Sequence, residues 1–295
     1  MKIFDCTTFF KEKMMMDIRF NILNEHVSKF IVVESCFSHS GQKKELNFDI
    51  NNYPKFREKI EYIIIENEPK DLFKDEELYK SSYHKRLNSI KRIEQSYEYM
   101  SHGLDSADDN DLILLSDNDE IPNLSSSSIK DLKKTDYVIF KQLFFYYKFN
   151  LFYDRIPWFG TKGCKKKRLN KFSSIRNLKN KRYPVWRLDT YFSDIKQNNL
   201  KIVEKGGWHF TNVKTPEELF DKFVNFGHHD EFELANISVD KIKEKISNKE
   251  VFYDHLADKE TLNKWSDNYK LKKIDLSFLP KYLIDNSEKF KDWLD

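Results

Sequence analysis

Asp117-Asn118-Asp119-Glu120 puts three carboxylates within four residues, directly after the apolar run Leu112-Ile113-Leu114-Leu115-Ser116. Asp117 and Asp119 share a side if the strand continues, and lie close together if the chain turns. Two such acids repel one another unless a cation sits between them. Hard oxygen ligands with open positions suit Mg2+ or Mn2+ bridging to phosphates. An ion held there neutralises a leaving diphosphate, which is Lewis-acid catalysis. The plainer alternative is an acidic turn ahead of Pro122. Glu120 orients a ligand hydroxyl or a metal-bound water, serves as a general base, or is simply an acid at a helix start.

Four further groups of residues carry candidate chemistry. Gly206-Gly207-Trp208-His209 combines two glycines, which let backbone come close to a ligand, with a ring and an imidazole. Trp208 either stacks on a ligand face or belongs to the core. A neutral imidazole can complete a divalent site, while a histidine beside tryptophan is otherwise packed core. Glu34, Ser35 and Gly41 follow a β-branched run; Glu34 accepts hydrogen bonds from a ribose or base, or caps the next turn. Proton transfer from a hydroxyl needs a base, and Asp230, Glu231 and Glu120 are the candidates. From Lys162 to Arg187 there are eleven Lys or Arg and no acid, with Phe172, Tyr183 and Trp186 between them. This segment reads as a solvated basic loop, with a nucleic-acid stripe, a diphosphate clamp or an anionic-acceptor surface as alternatives. Arg176 and Arg187 are the residues offered to phosphate.

These residues need elements to hold them. Strands are expected at Lys2 to Asp5, Lys29 to Glu34, Tyr62 to Ile65 and Asp111 to Ser116, and helices at Met14 to Leu23 and about Leu78 to Tyr99. Such alternation predicts an α/β chain with a mostly parallel sheet flanked by helices, and ligands at the carboxyl ends of its strands. Beyond Pro122 a strand-rich aromatic stretch runs from Tyr137 to Phe149. Thr215-Pro216-Glu217-Glu218 has the pattern of a capping box opening a helix through Phe226. One domain is expected over 1–295, with a nucleotide-sugar half at 1–122 and an acceptor-side half at 123–295.

Composition narrows the classes. A chain of 295 residues with 39% hydrophobic residues is a folding chain. Its 51 basic and 48 acidic residues leave only +3, which argues against a strongly basic nucleic-acid binder. Three cysteines without a CxxC pair argue against a disulfide framework or a structural zinc. No apolar signal segment opens the chain and no stretch reaches the roughly 20 residues of a membrane helix. A soluble, cytoplasmic protein is expected, in the host cytoplasm if the source is viral.

Four colinear segments resemble glycosyltransferase family 17, the family of the β-1,4-mannosyl-glycoprotein 4-β-N-acetylglucosaminyltransferase. They are Ile3-Phe4-Asp5 with Asp17 to Asn21 and Val27 to Ser35 followed by Gly41; Ile113 to Pro122; Gly206 to Phe210 with Thr215-Pro216-Glu217; and Pro280-Lys281-Tyr282-Leu283 with Phe290. The resemblance implies a GT-A-type fold, Mn2+ or Mg2+, inversion at the anomeric carbon and a UDP-sugar donor, UDP-GlcNAc first among them. It places Asp117 and Asp119 at metal and diphosphate, with Asp119 the direct ligand and His209 completing the site. The partners it implies are a nucleotide sugar and a glycan, glycolipid or glycoprotein acceptor; no nucleic acid is expected. A nucleotidyltransferase or other sugar-nucleotide enzyme, and a non-catalytic protein binding RNA or anionic glycan through 162–187, are the competing classes.

Overall fold

A computed structural model describes residues 1–74, 82–124, 132–225, 229–255, 265 and 267–295. Its first half is built from four strands that carry little but apolar side chains. These are β1 (Ile3–Thr8), β2 (Lys29–Ser35), β3 (Ile60–Ile65) and β4 (Leu112–Ser116). All four run parallel, in the order β3-β2-β1-β4. The near-continuous apolar runs are what a parallel strand covered on both faces requires. Along β2, Phe30 and Val32 enter one core, while Ile31 and Val33 enter the core on the opposite face. Helix α1 (Lys13–Leu23) covers the first face, and α2 (Ser82–Tyr99) contributes Tyr97 to the second. The helix expected from Leu78 begins within the described residues at Ser82; 78–81 lie outside them. β1 runs three residues past its expected end because it is paired on both sides, to β2 and β4.

The second half joins the same sheet but reverses direction. β8 (Trp158–Lys165) pairs antiparallel with β4 and with β6 (Tyr137–Tyr146). β6 also pairs with β9 (Leu200–Val203) and β10 (Gly207–Thr211), both parallel, and β10 closes antiparallel on the short β5 (Glu120–Pro122). β7 (Leu151–Phe152) and β11 (Lys272–Lys273) finish the edge, so eleven strands form one mixed sheet among the described residues. The shorter helices are α3 (Phe172–Arg176), α4 (Pro216–Asn225), α5 (His229–Ala235), α6 (Val239–Ser247) and α7 (Lys281–Asp285). The expected capping box opens α4: Thr215 N donates to Glu218 Oε2 at 2.9 Å, and Glu218 N donates to Thr215 Oγ1 at 3.3 Å. The chain is an α/β protein with a large mixed sheet flanked by helices, a GT-A-like arrangement. Its three cysteines are unpaired.

The basic segment is not one solvated loop. It begins inside β8, where Lys162 is buried and donates to Arg176 O and Leu178 O at 3.0 and 2.8 Å. Lys165 is buried as well and donates to Lys133 O at 2.8 Å. Lysine stems pack as apolar matter while their ammonium groups find carbonyls.

One ion pair ties α1 and β1 to the acidic turn. Arg19 on α1 has no exposed surface; it donates to both carboxylate oxygens of Asp5 on β1, at 2.7 and 2.5 Å. Its remaining nitrogen reaches Asp117 O, Asn118 O and Glu120 O at 3.3, 3.4 and 2.8 Å. Replacing Asp5 by Ala leaves that guanidinium buried without its carboxylate. A loss of roughly 3–5 kcal/mol is expected, read as a lower urea midpoint at unchanged slope.

Candidate active site

A cavity of about 520 Å3 opens where β1, β2 and β4 end, lined there by Thr8, Val33, Ser35, Asp117, Asn118 and Asp119. This is the edge of a parallel sheet at which ligands bind. β4 stops at Ser116 and the chain turns, with Glu120 N donating to Asp117 O at 3.0 Å. β5 then pairs with β10 so that Glu120 faces His209 and Pro122 faces Gly207. Gly207 has φ +124°, and a Cβ there would meet Ile121 O at 2.1 Å. The glycine is therefore required by the β5–β10 contact; it lets strand approach strand, not backbone approach a ligand.

The turn separates the three acids by giving each a different environment. Asp117 is taken by the protein: Arg176 Nη2 donates to Oδ2 at 2.7 Å and Tyr97 OH to Oδ1 at 3.4 Å. Glu120 is fully buried and accepts from Asp117 N (3.2 Å), Trp158 Nε1 (3.0 Å) and Arg176 Nη1 (3.3 Å). Such an acid braces the turn and is not open to an acceptor hydroxyl, against its expected part as base. Burial pushes its carboxyl up to about 7 against the pull of Arg176. Asp119 points the other way, its Oδ1 lying 3.6 Å from His209 Nε2. Burial, with Asp117 and Glu12 nearby, lifts Asp119 to about 6, opposed by Lys222.

His209 is stacked on Trp158, ring centroids 4.3 Å apart, and on Phe144 at 4.6 Å. Burial holds its pKa well below the ordinary value, so the ring is the neutral form that metals bind. Its Nδ1 is buried with no hydrogen-bond partner. The ring is thus held by stacking, with its Nδ1 not tied up by the fold and its Nε2 toward Asp119. No three His, Cys, Asp or Glu side chains converge as a ready-made metal cage among the described residues. One carboxylate and one imidazole still fit an ion that takes its other ligands from phosphate and water.

Several expected residues do other work. Glu34 is buried and accepts from Lys44 Nζ (2.5 Å), Asn47 N (2.9 Å), Phe48 N (3.0 Å) and Tyr62 OH (2.8 Å), so it pins the loop after β2 in place of a ribose or base. Ser35 does line the cavity, and its hydroxyl accepts from Phe37 N at 3.0 Å. Gly41 has φ +94°, and a Cβ would lie 2.4 Å from Arg92 Nη2; it makes room for the arginine that holds His39 O. Trp208 is turned from the cavity, donating to Phe278 O at 2.7 Å and packing on the core. Arg187 is exposed and paired with Asp189 at 2.7 Å, away from the cavity, whereas Arg176 lines it. Asp230 and Glu231 fall on α5, and their side chains lie outside the described residues.

Other cavity residues carried no signal that sequence reasoning used. Trp158 faces the cavity where Trp208 does not, and Tyr97 reaches it from α2. Glu12 receives Phe10 N and Lys11 N, both at 3.1 Å, and Asn118 Nδ2 at 2.8 Å, with Lys214 Nζ 3.5 Å away. Lys222 donates to Asn212 Oδ1 at 3.0 Å; burial lowers its pKa from the ordinary lysine value, while Asp119, Glu12 and Asp117 pull the other way. Glu12 follows the end of β1, so the strand-edge rule could have found it; Lys222 had no such mark.

The model of glycosyltransferase family 17 matches residues 1–295, the whole chain. The chain belongs to glycosyltransferase family 17. No curated protein matches it. As a family 17 glycosyltransferase, it takes a sugar donor and a glycan acceptor.

Glu120 yields a pH prediction for this family 17 enzyme. A carboxyl lifted to about 7 binds a proton in the folded state that the unfolded chain, near 4.5, releases. Its contribution to stability therefore falls as pH rises from about 4.5 through 7. Glu120→Gln removes that dependence, on the order of 1–3 kcal/mol between pH 5 and pH 8. Paired urea titrations of parent and variant at the two pH values check it; equal slopes would refute the assignment.

Proposed function

We propose that the enzyme is a metal-dependent, inverting transferase that moves a sugar from a UDP-sugar, UDP-GlcNAc before others, to a hydroxyl of a glycan acceptor. The observation that carries this reading is the meeting of Asp119 with an unprotonated His209 on the cavity floor at the carboxyl edge of the parallel strands. Asp119 and His209 would hold Mn2+ or Mg2+. A divalent ion bound there supplies Lewis-acid neutralisation of the charge that grows on the departing UDP.

The remaining work falls to side chains already in place. Lys222 lines the cavity facing its acids, where its ammonium complements the developing diphosphate charge. Arg176 fixes Asp117 and Glu120 together, so the turn that carries Asp119 does not rearrange as charge moves. Trp158 and Phe144 hold the imidazole ring in one plane. The acceptor hydroxyl gives its proton to a base as its oxygen attacks the anomeric carbon. Asp230 and Glu231 are assigned that part by position, on α5 after the helix that bears Lys222.

The test is nucleotide release from a panel of UDP- and GDP-sugars, with and without Mn2+. Release from UDP-GlcNAc that needs the metal is expected. Asp119→Ala and His209→Ala should each lower it by about 100-fold or more. If no nucleotide sugar binds by calorimetry in the presence of Mn2+, the reading is wrong.

A further inference from the structure

Between Lys179 and Asn198 the chain leaves the body of the protein and returns. Backbone hydrogen bonds close its base, from Lys179 N to Ile195 O at 2.9 Å and from Tyr183 N to Gln197 O at 3.0 Å. Its tip is shaped by its own bonds: Thr190 Oγ1 donates to Arg187 O at 2.7 Å, and Tyr191 OH to Val185 O at 3.1 Å. That ordered tip presents Val185, Trp186, Leu188, Tyr191 and Phe192 to solvent, at 59% to 92% exposure. Large apolar side chains scattered singly over a surface need no account, but five gathered in eight positions mark a contact surface. The cavity does not use them, since none is among its lining residues.

The charge around the tip indicates its occupant. The excursion carries Lys179, Lys181, Arg182, Arg187 and Lys196 against Asp189 and Asp194. Lys181 Nζ and the Arg187 guanidinium both lie over the Tyr183 ring, at 5.0 and 5.2 Å, so the cations ring the apolar tip at its base. Tryptophan and tyrosine with aliphatic neighbours, flanked by lysine and arginine, match a bilayer interface. There rings sit at headgroup depth and cations meet anionic lipid. A single-stranded nucleic acid would use the rings for stacking but has no use for Val185 and Leu188. No helix among the described residues is long and apolar enough to cross a membrane, so this contact lies on the surface of a bilayer. The excursion also follows Arg176 directly, and Arg176 lines the cavity.

We propose that the excursion 179–198 docks this protein peripherally on an anionic lipid bilayer, with Trp186 and Phe192 entering the interface. The proposal goes beyond the transferase reading and does not depend on the donor. Its readout is binding, so its failure and that of the donor assignment are separately visible. The full chain is sedimented with phosphatidylcholine vesicles, with and without phosphatidylglycerol. Binding is expected only with the anionic lipid, accompanied by release at high salt. Trp186→Ser combined with Phe192→Ser should weaken partition by about tenfold or more, with thermal midpoint and nucleotide-sugar turnover unchanged. Lys179→Gln with Lys181→Gln should reduce the preference for anionic vesicles. Three results would overturn the proposal: no vesicle binding; binding that the Trp186/Phe192 double variant leaves intact; or, in sedimentation velocity without lipid binding, a self-association which that variant abolishes.

Discussion

A buried guanidinium governs the geometry of this protein. Arg19 takes both oxygens of Asp5 and three carbonyls of the turn from Asp117 to Glu120, so one side chain joins α1, β1 and the acidic turn. In a medium where an unpaired charge is intolerable, this set of bonds must be made together or not at all. α1 is in turn braced from the far end of the chain: Tyr282 OH and Lys289 Nζ donate to Asp17 Oδ2 at 3.2 and 2.8 Å. The first and last family-like segments are thereby parts of one support. The last of them lines no part of the cavity, but both determine where the turn stands.

Upon that support the turn gives three neighbouring acids three tasks. Arg176 occupies Asp117, burial and three donors occupy Glu120, and Asp119 is left facing an imidazole held by ring stacking. Identical chemistry at adjacent positions becomes different chemistry because each carboxylate meets a different partner. The β5–β10 pairing is what brings His209 there, and Gly207 permits that pairing by admitting a carbonyl where any side chain would collide. Mn2+ and UDP-GlcNAc belong to the proposed function; the division of the acids is a property of the fold itself.

Much of this architecture was legible in the residues. The four strand-like runs became β1 to β4, the helix expected from Met14 to Leu23 became α1, and the capping box opened α4. Those signals are local: periodicity and caps depend on neighbours within a few residues. The acids at the end of β4 were legible for the same reason, since an apolar strand that ends in carboxylates can only place them at the sheet's edge. Glu34 misled because its sequence neighbourhood suits a ligand site as well as it suits a loop anchor, while Trp208 took the core place that stood beside its other reading. Which of these a residue becomes depends on what lies across from it.

The sequence by itself determined the strands, their burial, the position of the acidic turn and the family-like order of the motifs. Only the tertiary structure decided that Trp158 and not Trp208 faces the cavity, that Arg176 and not Arg187 meets the acids, and that Lys162 is buried while Trp186 is bare. The reason is physical. A side chain's periodicity is written in a short stretch of chain, whereas its partner is chosen by strand order and register, which bring residues ninety positions apart into hydrogen-bond range.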